Sequence, residues 1–171
     1  MTPFRALFIE QTVEPADRAR RLLPTRVEQS SLRWWSPGGA LPEDARFLLI
    51  GVAVWSGYDM NMLDHLDCAV TAGKRPDTPV YVFDMDWATR QGDFESLMPG
   101  IGFVHHPPVV GYWAEGKLIE KACGFQGRQV VARLFMIDEH LVHKRITRTK
   151  ARPSRKAPRA FLKLLGRLFG F

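Results

Sequence analysis

Ser56, Asp59 and the adjacent pair His105 and His106 are the side chains with the most obvious chemical potential. A hydroxyl, an imidazole and a carboxylate are the parts of an acyl-transfer triad. That chemistry needs them in hydrogen-bonded order beside an oxyanion hole. Ser56 stands in Trp55-Ser56-Gly57-Tyr58-Asp59, with no GxSxG nucleophile elbow around it. One helical turn apart and just ahead of a helical pattern, Ser56 and Asp59 instead suit a helix start, where such oxygens cap free N–H groups. Two neighbouring histidines without further spaced ligands make a poor metal site. Asp84 and Asp86 alternate in facing at a strand end and need not converge. Cys68 and Cys123 form no CxxC pair. In a chain read as cytoplasmic they are expected to be small buried hydrophobes. Neither a cofactor nor a metal is expected.

The elements that position these residues follow from periodicity. Residues 4–10 (FRALFIE) are apolar and β-rich and are expected to form the first strand. Residues 14–23 start with Pro15 near the front and acids in the first turn, which suits a helix that Pro24 then stops. Residues 24–44 are read as an insertion: 26–34 is a candidate short strand, and the rest, with its Pro and Gly residues, is loop. Trp34 and Trp35 are expected to anchor that insertion to the body. Residues 46–55 (RFLLIGVAVW) form a nearly continuous apolar run, as in a strand covered on both faces. Met60, Leu63, Leu66 and Val70 repeat at helical spacing within 59–72, and Gly73 suits the helix end. Strands are expected at 79–84, 109–113 and 117–122, the last two forming a hairpin. Helices are expected at 93–98 and 127–142. The expected fold is α/β, a mixed sheet between helix layers.

Charge divides the chain. Residues 143–171 hold ten of the 24 Lys and Arg and none of the 18 Asp and Glu, so the body is mildly acidic and the tail strongly basic. That asymmetry concerns partners rather than fold. Residues 143–159 read as a basic linker with too little apolar surface to fold alone. In 160–171 (AFLKLLGRLFGF), Phe161, Leu164, Leu165, Leu168 and Phe169 fall on one half of a helical wheel. Lys163 and Arg167 fall on the other. A short helix with separate apolar and basic faces has the pattern of an interfacial anchor, and the linker adds attraction to anionic lipid. A protein groove or the chain's own body are the alternative docking surfaces. Nucleic acid ranks lower, because it leaves the apolar face without a role. No apolar run approaches the ~18 residues that span a bilayer. The start of the chain also lacks the order of a signal peptide.

The middle of the chain resembles the thioredoxin family. Trp55-Ser56-Gly57-Tyr58-Asp59 stands where that family has Trp-Cys-Gly-Pro-Cys. Pro108-Val-Val-Gly-Tyr-Trp-Ala-Glu-Gly116 is similar to its cis-proline, strand, turn and glycine, and 117–124 to its last strand and the glycine before the closing helix. The resemblance covers about residues 45–142 and implies a thioredoxin-like domain over 1–142. It also implies loss of the redox chemistry. That exchange needs a thiolate at the helix start and a second thiol three residues on. Ser56 and Asp59 occupy those positions, and Ile50 stands where the family has a buried carboxylate.

What the resemblance leaves is a groove for an extended peptide, with a rim of Trp55, Ser56, Tyr58, Asp59, His105, His106 and Pro108. The expectation is a non-catalytic binding or assembly subunit with a protein partner, recruited by its tail to an anionic membrane surface or a larger complex. The alternative is an enzyme on a flavodoxin-like or other α/β sheet, with a site near the 55–59 and 105–108 loops. Its first loop, Gln11–Pro15, carries Glu14 and no glycine, which argues against phosphate binding.

Overall fold

The apolar run after Arg46 escapes water only if both its faces are covered, and the chain is built around that requirement. The computed structural model describes residues 4–10, 16–88, 91–101 and 106–147. Its elements are α1 (Phe4–Glu10), α2 (Ala16–Glu28), β1 (Arg33–Trp34), β2 (Arg46–Val52), α3 (Gly57–Thr71), β3 (Val80–Asp84) and a 3-10 turn (Met85–Trp87). Then follow α4 (Gln91–Leu97), β4 (Val109–Ala114), β5 (Lys117–Cys123), α5 (Gly124–Phe135) and α6 (Glu139–Val142). The strands make one mixed sheet in the order β1-β3-β2-β4-β5. β3 is parallel to both β1 and β2, β4 is antiparallel to β2, and β5 is antiparallel to β4.

β2 lies at the centre and is buried from Phe47 to Val52. Its side chains alternate between two cores. Leu48, Ile50 and Val52 join side chains of α1, α2, α3 and α5 on one face. Phe47 and Leu49 meet Phe83, Phe94, Met98 and Trp113 on the other. Gly51 makes room in that second core, since a Cβ there would stand 2.5 Å from the Phe83 ring. The β4–β5 hairpin turns through Glu115 and Gly116, with φ of 52° and 71°, as a two-residue type I′ loop demands. Trp34 and Trp35 do anchor their segment. Trp34 packs against the first core, and Trp35 is buried in the second with its indole N–H donating to the Ala40 carbonyl at 2.9 Å.

The structure departs from the sequence reading in four elements. Residues 4–10 form a helix, not a strand. Phe4, Leu7 and Phe8 are buried at helical spacing, and the Asp64 carboxylate of α3 accepts the Phe4 and Arg5 backbone N–H groups and the Arg5 Nε–H. Helix α2 continues through Pro24 to Glu28, because Leu23 and Val27 on either side of it are both fully buried. The candidate strand at 26–34 shrinks to Arg33–Trp34, yet it is an edge of the main sheet rather than part of an insertion. The closing helix breaks at Met136, which adopts φ 50°, and Asp138 starts α6 by accepting the His140 N–H. Both cysteines are free. Cys68 is exposed and Cys123 half-buried, contrary to the expectation of burial. A flavodoxin-like sheet is mostly parallel, with order 2-1-3-4-5; the antiparallel β4 and β5 do not fit it. No helix among the described residues is long and apolar enough to cross a membrane.

Candidate functional site

Where β2 ends, the chain turns through Ala53–Ser56 into the first turn of α3. Ser56 is the N-cap, with extended φ and ψ of −89° and 108°. Its hydroxyl oxygen accepts the Asp59 N–H at 3.3 Å and its O–H donates to Asp59 Oδ1 at 2.9 Å. Asp59 Oδ2 accepts the Ala53 N–H at 3.0 Å. Asp59 is fully buried, and this desolvation pushes its pKa up to about 7. The Ala53 N–H, the Ser56 hydroxyl and the nearby Arg128 guanidinium pull the other way. The pair thus does the capping that its spacing suggests. Among the described residues no histidine bonds to Ser56 and no three His, Cys, Asp or Glu side chains converge on a metal position.

A groove of about 750 Å³ opens beside this cap. One wall is Trp55 to Tyr58. The second is His106 and Pro107, just before the cis Pro107–Pro108 peptide that leads into β4. The third is the start of α5, from Cys123 to Gln126 and Arg128, and Arg145 closes the rim. Gly124 holds the second and third walls together. Its φ is +57°, its N–H donates to the Pro108 carbonyl at 2.8 Å, and a Cβ there would stand 3.3 Å from His106 Cβ. Trp55 and Phe125 remain 48 % and 56 % exposed at the opening. The Trp55 indole N–H donates to the Asp86 carboxylate at 3.2 Å, which holds the ring at the rim.

Arg128 ties the walls from within. It is only 9 % exposed. Nη1 donates to the Pro107 carbonyl and Nε to His143 Nδ1, both at 3.2 Å. Its guanidinium lies 4.9 Å from the centroid of the Tyr58 ring, and that of Arg145 lies 6.0 Å from the same centroid. Burial pulls the Arg128 pKa below the usual arginine range, opposed by Asp59 and Tyr58. Burial and then Arg128 pull the His143 pKa down, which keeps its Nδ1 an acceptor. His143 also stacks on Phe125 at 4.2 Å.

Of the expected site residues, Trp55, Ser56, Tyr58 and His106 line the groove. Asp59 is buried beneath it, and Pro108 lies buried behind Pro107. His105 and the tail residues Phe161, Lys163, Leu164, Leu165, Arg167, Leu168 and Phe169 lie outside the described residues. Sequence reasoning missed Cys123, Phe125, Arg128 and Arg145. One signal was available. Gly127, Val130, Val131 and Leu134 make the buried stripe of α5, and Phe125 falls off it. The first part of the supposed linker also belongs to the body, since Ile146 packs against the first core and its N–H meets the Gly57 carbonyl at 3.4 Å. No family model, curated protein or solved structure matches the chain.

Proposed function

We propose that this chain is a thioredoxin-like module that keeps the family's peptide groove without its redox pair, and that it serves as a binding or assembly subunit. The observation that carries this reading is the place of the groove. It lies at the start of the helix following the central strand, beside the proline that opens β4, with Ser56 and Asp59 at the N-cap and third helical positions. The strand order and directions support the same reading, with β2-α3-β3-α4-β4-β5-α5 as the thioredoxin-like core. A groove with two half-exposed aromatics suits an extended segment of a partner protein. The basic tail then recruits the module to an anionic membrane surface or a larger complex.

Three experiments test the reading. In an insulin-reduction assay the native chain gives no turnover, whereas the double variant Ser56→Cys and Asp59→Cys forms an internal disulfide and gains turnover. Turnover by the native chain, or a double variant that cannot form the disulfide, overturns the thioredoxin-like reading. A photoreactive phenylalanine analogue at position 125 crosslinks a partner protein in cell extract, and one at the exposed Leu41 does not. Equal crosslinking from both positions removes the groove from the account. For the tail, deleting residues 158–171 abolishes co-sedimentation with anionic liposomes; unchanged sedimentation removes the membrane arm.

A further inference from the structure

We infer that the segment held in the groove is acidic, an extended peptide whose carboxylates meet Arg145 and Arg128 while an apolar side chain lies against Trp55 and Phe125. The inference rests on the binding-groove reading above and adds the chemistry of its occupant. Its basis is charge. The groove lining holds two arginines and His106 and no aspartate or glutamate. The rest of the body runs the other way, because the acidic residues of the chain all precede residue 143 and outnumber the basic ones there. The groove is therefore a cationic spot on an acidic domain, and such a contrast selects partners by sign.

The state of each cation supports this. Arg145 is exposed and, among the described residues, makes no ion pair or hydrogen bond; its contact is with the Tyr58 ring. Arg128 spends Nε and Nη1 on His143 and Pro107 and has no partner for Nη2 among the described residues. The carboxylate nearest in effect, Asp59, is buried and engaged by the Ala53 N–H and the Ser56 hydroxyl. Two guanidiniums share the Tyr58 ring, and the groove lining sets no carboxylate between them; the rim carboxylate, Asp86, is taken by the Trp55 indole N–H. Guanidinium is the cation best shaped to take a carboxylate by two parallel bonds. The exposed faces of Trp55 and Phe125 at the same opening give the apolar contact that an inorganic anion would not use. The chain's own residues 148–171 carry the groove's own sign and are a poor occupant.

Cys123 in the groove and the exposed Cys68 on α3 supply a built-in footprint. The test uses the full chain and three fluorescent dodecapeptides alternating Phe or Leu with Glu, with Gln, or with Lys. Anisotropy reads affinity, and mass spectrometry reads alkylation of each cysteine. The Glu peptide binds at least about tenfold tighter than the Lys peptide, weakens with salt, and slows alkylation of Cys123 but not of Cys68. Arg145→Ala costs about two- to fivefold in affinity for the Glu peptide, as removal of a surface ion pair does. Arg145→Glu lowers the preference for Glu over Lys further. If the Gln peptide binds as well as the Glu peptide and still protects Cys123, the acidic preference is overturned and the groove reading stands. If no peptide protects Cys123, both fall. If phosphatidylserine vesicles protect Cys123 and the Glu peptide does not, the site belongs to lipid and the inference is overturned.

Discussion

Asp59 converts burial into a measurable pH dependence. In the unfolded chain an aspartate releases its proton near pH 4. In the folded chain burial holds the proton on Asp59 up to about pH 7. Between these values the native state binds the proton and the unfolded state does not, so stability from this group falls as pH rises through the window, and the loss is complete above it. Three units at about 1.4 kcal/mol each set the swing at about 4 kcal/mol. Asp59→Asn keeps an oxygen to accept the Ala53 N–H but cannot ionise, so its stability lacks this slope. The measurement is urea unfolding of both proteins at closely spaced pH values from 4 to 8.5. The informative quantity is their difference, because carboxylates and histidines shared by both largely cancel. Relative to the native chain, the asparagine variant gains stability across the window, by on the order of 4 kcal/mol in total. A difference that stays flat within about 1 kcal/mol would refute the claim that Asp59 is held desolvated beneath the groove.

Further outcomes follow from the same geometry. Ser56→Ala removes the N-cap acceptor and costs about 1 kcal/mol in chemical unfolding at pH 8. It also takes a hydroxyl donor from the Asp59 carboxylate, so the Asp59 carboxyl resonance in an NMR titration moves at higher pH than in the native chain. Gly51→Ala drives a methyl into the Phe83 ring in the middle of the sheet and destabilises by about 1–3 kcal/mol, read by urea unfolding.

Local signals carried much of this fold, and their range explains where they stopped. The continuous apolar run at 46–55 announced a strand covered on both faces, and β2 is that strand. Turn chemistry at Glu115–Gly116 announced the hairpin, and Ser56 with Asp59 announced the start of α3. Each of these rests on residues within a few positions of one another. Residues 4–10 had too few side chains to separate a helical from an extended period, and the contact with Asp64, sixty positions on, decided for helix. Pro24 reads locally as a stop, but burial of Leu23 and Val27 holds both sides of it in one helix.

The groove shows the same division more sharply. Its first wall, Trp55 to Tyr58, was legible because one short motif makes it. Phe125, Arg128 and Arg145 come from the far end of the chain, brought there by the pairing of β4 with β2 and of β5 with β4, and by the turn of α5 beside Pro107. The sequence alone determined the central strand, the capped helix start and the division of charge between body and tail, since period, turn chemistry and composition act over short stretches. Only the tertiary structure decided that two arginines and an exposed phenylalanine share one opening with Trp55, because that meeting depends on sheet register and helix packing between segments distant in the chain.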